Sequence, residues 1–121
     1  QINMARNPKK YLQMVVNFDT SKERAGVLLG KVRMCLENIA KDGPDMAMYE
    51  KAMEYMQKTV GGNRTSNNFW MEAITQNVQY ATDDMLHSAD NLNSVTPKDV
   101  RRIARKLAKS GNITEAILNV E

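Results

Sequence analysis

Hydrophobic and polar residues alternate with two different periods along this chain, and the change of period marks its first two predicted elements. Residues 11–18 alternate with a period of two, which predicts a strand with one apolar face. The side chains on that face are Leu12, Met14, Val16 and Phe18. From residue 25 to residue 39 the apolar positions instead recur every three or four residues, which predicts an amphipathic helix of about five turns.

Turn and cap residues set the ends of the first two predicted helices. The Asp-Thr-Ser segment at 19–21 offers an N-cap for the first helix, and the Asp-Gly-Pro segment at 42–44 ends it. The second helix starts next to Asp45 and carries an apolar seam rich in methionine. The Gly-Gly-Asn segment at 61–63 breaks this helix or bends a longer one.

Three further helices follow the same logic. Ser66 or Asn67 caps the third, in which Phe69 and Trp70 are the predicted core anchors, and a short fourth helix follows residues 82–84. The fifth begins with the strongest start signal in the chain. This signal consists of Thr96 as the N-cap, Pro97 at the first helical position and Asp99 at the third. Its predicted inner face consists of Val100, Ile103, Ala104, Leu107 and Ala108.

A closing strand is predicted over residues 112–120, which are rich in β-branched and aliphatic residues. The expected fold class is therefore α+β, with antiparallel strands at about 11–18 and 112–120 and roughly five helices packed on one face. Residues 1–121 are expected to form one domain. Two strands alone make a marginal sheet, so further strands are expected elsewhere in a larger protein. A start at Gln1 rather than Met agrees with an excised or processed chain.

Composition adds few constraints. The chain has 42% hydrophobic and 26% charged residues, which is ordinary for a globular protein, and a formal charge of +3. That charge is too small to indicate a nucleic-acid or membrane partner, and no stretch approaches the ~20 apolar residues of a membrane span. With one Cys and one His, neither a disulfide, a zinc site nor a Cys-His catalytic pair is predicted. Cys35 is expected to be a buried inert thiol, and His87 a surface or capping residue.

Two segments invite a functional interpretation without carrying a specific motif. The segment GGNRT at 61–65 lacks the ending of a phosphate loop and does not follow a strand, so a helix-breaking turn is predicted. The fifth helix has a basic face opposite its apolar face. Its cations are Lys98, Arg101, Arg102, Arg105, Lys106 and Lys109. A solvated face is the simple interpretation; the alternative is a stand-alone helical module that binds nucleic acid or an acidic partner.

Several blocks resemble, in order and spacing, the C-terminal end of insulinase/pitrilysin-type zinc peptidases, the family that includes the mitochondrial processing peptidases, and its bacterial members above all. The blocks are YLQMVVNFDT at 11–20, SKERA at 21–25, DGP at 42–44, KAMEYM at 51–56, NNFWM at 67–71, VTPKDV at 95–100, ARKL at 104–107 and GNITEAIL at 111–118. The resemblance covers residues 8–121 and implies the α/β fold of that family, with helices on one side of an antiparallel sheet.

The resemblance also implies a division of labour. In that family the zinc motif, His-x-x-Glu-His, lies in the N-terminal half, and two halves enclose a chamber for peptides. This chain contains no such motif, so it carries no expected catalytic, cofactor-binding or metal-binding residue, and zinc belongs to the catalytic half of the parent. The expected function is a non-catalytic C-terminal domain of a zinc metalloendopeptidase. The expected partners are the catalytic half or a partner subunit, a peptide substrate and, through an exposed sheet edge, a second copy; neither nucleic acid nor a membrane segment is expected.

Overall fold

The computed structural model describes residues 1–5 and 8–118 and has an α+β fold, as predicted: a two-stranded antiparallel sheet followed by five helices. The strands are β1 (Ile2–Ala5) and β2 (Tyr11–Met14). The helices are α1 (Lys22–Asp42), α2 (Met46–Asn63), α3 (Asn67–Tyr80), α4 (Ser88–Ser94) and α5 (Pro97–Lys109). The described residues form two compact units, one from residues 1–5, 8–31 and 115–118 and the other from residues 32–114.

In the first unit, the register of the hairpin gives the sheet one wholly apolar face. Ile2 lies opposite Met14 and Met4 opposite Leu12, whereas the polar residues Asn3 and Gln13 face each other on the other side. All four apolar side chains are exposed; Ile2 retains 68% of its accessible surface and Met4 retains 70%.

Two strand predictions need correction. The partner of β2 is β1, in a segment for which the sequence predicts no element, and β2 is shorter than the predicted 11–18. Residues 112–118 form no strand, and the rest of the predicted closing strand lies outside the described residues. The physical reason is that β propensity describes a fit to neighbouring strands, and residues 16–18 and 112–118 have no strand partner in the described part of the chain.

In the second unit, helix ends follow the predicted caps. The carboxylate of Asp45 accepts the backbone N–H of Met48 at 2.9 Å, which caps α2. Gly43, at φ 95°, supplies the left-handed residue after α1. α2 includes both glycines of the 61–63 segment and ends at its last residue, Asn63, so this segment ends the helix as predicted.

Side-chain hydrogen bonds join α2 to neighbouring parts of this unit. α2 packs against α4, where Gln57 Nε2 donates to Asn93 Oδ1 at 3.0 Å. The Tyr49 hydroxyl donates to the carbonyl of Val95 at 2.7 Å, which ties α2 to the connection before α5. The buried residues of the unit are Ala40, Phe69, Ala73, Leu92 and Ala104. The predicted inner face of α5 is thus confirmed at Ala104, and its other four members are half-buried.

Candidate functional site

The isolated histidine and cysteine occupy exposed positions. His87 precedes α4, and its Nε2 lies 3.3 Å from Asp83 Oδ2, while its Nδ1 lies 3.9 Å from Asp90 Oδ2. His87 is the N-cap residue by position but makes no side-chain cap hydrogen bond, so of the two predicted roles the surface role fits. Within residues 1–5 and 8–118, no three His, Cys, Asp or Glu side chains are grouped so that they could hold a metal ion.

The prediction that Cys35 is buried is wrong, because its side chain is exposed on α1. Its helical position aligns it with the half-buried residues Val32 and Ile39, yet Cys35 lies at the edge of that stripe. Helical spacing places a residue on a face but does not say how far the covering surface extends, which is why the sequence could not locate this thiol correctly.

The 61–65 segment contains the end of α2 and the turn that follows it, as predicted. The guanidinium of Arg64 donates to the carbonyl of Leu86, and the carbonyl of Arg64 accepts the indole N–H of Trp70 at 2.9 Å. Phe69 and Trp70 contact each other edge to face, with ring centroids 5.4 Å apart. Phe69 is buried as predicted, but the prediction of Trp70 as a core anchor is wrong, because Trp70 remains 48% exposed.

The basic face of α5 is the most distinctive charged surface of the unit formed by residues 32–114. α5 begins with a full capping box, in which the Thr96 hydroxyl accepts the backbone N–H of Asp99 and the Asp99 carboxylate accepts the backbone N–H of Thr96 at 3.0 Å. Hydrogen bonds from Thr96, first from its side chain and then from its backbone, lower the pKa of Asp99 below its ordinary value, and the charge of Arg102 adds to this shift. The capping box thereby fixes the start of α5 at Thr96 and stabilises its first turn.

Two of the six cations have a structural task. Arg105 Nε donates to the carbonyl of Ala40 at 2.7 Å, and the guanidinium of Arg101 donates to the carbonyl of Lys41. Both carbonyls belong to the last turn of α1, where backbone acceptors have no partner within the helix and where the helix dipole favours positive charge. These arginines therefore join α5 to the C-terminal end of α1, a role that the sequence pattern did not reveal.

The remaining four cations form no hydrogen bond with the end of α1. Arg102 pairs with Asp99 at 2.8 Å, whereas Lys98, Lys106 and Lys109 form no hydrogen bond or ion pair with any residue that the structure describes. All six cations and Ser110 line a shallow surface groove of about 730 Å³. Such a surface can attract carboxylates or phosphates.

Comparison of this chain with protein-family models, with curated proteins and with solved structures yields no match. In the described part of the chain, none of the helices combines the length and apolar character needed to cross a bilayer.

Proposed function

We propose that this chain is a non-catalytic C-terminal domain of a zinc-dependent metalloendopeptidase of the insulinase/pitrilysin type, and that it helps to form the wall of the substrate chamber. The observation that carries the proposal is the order and spacing of the blocks that resemble this family, from YLQMVVNFDT at 11–20 to GNITEAIL at 111–118. The partners under this proposal are the catalytic half, in the same chain or a partner subunit, and a peptide substrate.

The local roles of these blocks support the proposal. The DGP block coincides with the end of α1, where Gly43 adopts a left-handed conformation. The VTPKDV block forms the capping box of α5, and the NNFWM block contributes the buried Phe69. Blocks that serve as helix ends and core anchors are those expected of a scaffold rather than of a catalytic centre.

The hairpin also supports a place within a larger sheet. Gln1 and Val15 form a hydrogen-bonded pair, with both backbone bonds present at 2.8 and 2.9 Å. In an antiparallel ladder hydrogen-bonded and non-hydrogen-bonded pairs alternate, so the next pair, Ile2 with Met14, is not hydrogen-bonded. The N–H and C=O groups of Ile2 and Met4 on one strand, and of Leu12 and Met14 on the other, therefore point to the outer edges. Neither strand contains a proline or a charged residue that would protect an edge.

The proposal is tested with the complete reading frame that encodes this chain. We expect it, or a subunit encoded beside it, to contain His-x-x-Glu-His upstream and to bind one zinc ion in that half. Cleavage of an unstructured peptide should then require the present chain: Phe69→Ala, which opens a cavity in its core, should reduce cleavage, whereas Val78→Ala at a position that is 79% exposed should not. A reading frame and neighbouring genes without the motif would overturn the proposal. Tight stoichiometric zinc binding by residues 1–121 alone would contradict the assignment of zinc to the other half.

Because its sheet edges are unprotected, we expect the isolated chain to associate with a second copy. Light scattering over a wide concentration range should show a rising mass, and Met4→Lys on the apolar face should suppress it. Asn3→Lys is the matched control, because it adds the same charge to the same strand on the opposite face. A constant monomer mass at every concentration would refute the dimer.

A further inference from the structure

We propose that the outer face of α5, formed by Lys98, Arg102, Lys106 and Lys109, binds an acidic polypeptide segment. This inference rests on the charge and geometry of α5 alone and does not depend on the proposed function.

The four cations of the outer face form one continuous stripe. At 100° per residue they fall within roughly 80° of the helix circumference, and at 1.5 Å per residue they extend over about 16 Å along the axis. The groove of about 730 Å³ runs among them. Carboxylates spaced three or four residues apart on a partner helix, or every second residue on an extended segment, could meet several of these cations at once.

The charge of the outer face is largely uncompensated. Asp99 is the one acidic residue of α5, and its carboxylate already pairs with Arg102 and caps the helix. Lys98, Lys106 and Lys109 have no hydrogen-bonding or charged partner among the residues that the structure describes. Lys106 and Lys109 also lie in the last turn, where a cation stabilises the helix, but Lys98 lies in the first turn, where a cation is unfavourable. The helix dipole thus accounts for two of these lysines but not for Lys98.

The engagement of the arginines favours a polypeptide over a nucleic acid. Arginine is the side chain best suited to grip phosphate with two parallel hydrogen bonds, and Arg101 and Arg105 instead donate to α1 while Arg102 pairs with Asp99. The cations of the outer face that have no partner of their own are the three lysines, which act as single point charges. The groove is lined by no aromatic side chain on which a base could stack.

The packing of α5 also disfavours an anionic membrane surface as the partner. An interfacial helix places its apolar face among the lipids. Here Ala104 on that face is buried, and Ile103 and Leu107 are half-buried within the protein. Binding to a membrane would therefore depend on the charged face alone, without insertion of apolar side chains.

The test uses fluorescence anisotropy of a labelled poly-glutamate peptide with the full chain at low salt. We expect binding that weakens as salt is added, because the contacts are between solvent-exposed charges. The triple variant Lys98→Ala, Lys106→Ala, Lys109→Ala should weaken binding at least tenfold. The triple variant Lys22→Ala, Lys31→Ala, Lys51→Ala is the matched control: it removes the same charge from exposed lysines elsewhere and should change binding less than threefold. Circular dichroism of both variants confirms equal helix content before binding is compared.

Four outcomes would overturn the proposal. The peptide fails to bind at low salt, or both triple variants lose affinity equally, which would mean that net charge and not the outer face attracts it. A DNA oligonucleotide of equal charge, single-stranded or duplex, binds more than tenfold tighter than the peptide and loses that affinity in the α5 triple variant, which would identify a nucleic-acid surface. Vesicles that contain phosphatidylserine compete the peptide away, which would identify a lipid-binding surface.

Discussion

The bond from Arg105 to the end of α1 should be a measurable part of the stability of this chain. Arg105→Met removes the guanidinium that donates to the Ala40 carbonyl at 2.7 Å while keeping a long apolar stem. A hydrogen bond that involves a charged group contributes about 1.5–3 kcal/mol, and the site is only part-buried, so a cost near the lower figure, about 1.5 kcal/mol, is expected. With a urea dependence of about 2 kcal/mol/M, the unfolding midpoint should fall by about 0.7 M.

Urea titration followed by circular dichroism measures this shift, and Arg102→Met provides the control. The control removes the same group from the same helix, but its partner is the surface carboxylate of Asp99, so the cost should be about 0–0.5 kcal/mol. Arg105→Lys should fall between wild type and Arg105→Met, because it keeps the charge near the negative end of α1 but not the guanidinium geometry. Equal midpoints for the Arg105→Met and Arg102→Met variants would refute the assignment of Arg105 to a structural role.

Four other predictions concern individual side chains. Thr96→Ala should cost about 1 kcal/mol through loss of the capping box, whereas Thr96→Ser should be nearly neutral; urea midpoints of the two variants decide this. Because the pKa of Asp99 is lowered in the folded state, its ionised carboxylate contributes stability that is fully present above its ordinary value of 3.8 and is lost as the pH falls through the lower folded value. Thr96→Ala should therefore flatten the acid limb of stability against pH, and an unchanged limb would contradict this. Cys35 should react with a thiol reagent in the folded protein at nearly the rate found in urea, and strong protection would show that it is covered. Phe69→Ala should destabilise the chain by about 3 kcal/mol and Val78→Ala by less than about 0.5 kcal/mol, in thermal or urea unfolding.

Helix ends could be predicted from this sequence because their signals are local. Thr96, Pro97 and Asp99 lie within four residues, and the hydrogen bonds that they form are made within the same turn. The same holds for Asp45 at the start of α2. A cap needs no distant partner, so its sequence pattern and its geometry carry the same information.

The hairpin and the division of the basic face depend on distant partners and could not be predicted in this way. Residues 2–5 pair with residues 11–14 although they are short and lack β-branched residues apart from Ile2. Arg101 and Arg105 contact backbone carbonyls sixty or more residues away. Every residue has a carbonyl, so the sequence does not show which one a distant arginine will contact. Helical spacing placed all six cations on one face correctly, but only the position of the α1 terminus separates the structural arginines from the outer face.

The hairpin needs a partner that both pairs with its edges and covers its apolar face. Ile2, Met4, Leu12 and Met14 supply both the outward-pointing backbone groups and the exposed apolar face. An added strand would satisfy an edge but would extend the apolar face, and a covering helix would bury that face but leave the edges unpaired. A second copy that joins edge to edge provides only the strand, so this dimer should be weak. A larger α+β domain provides both a strand and a helical layer, and for this reason the hairpin favours a place within such a domain over a self-sufficient dimer.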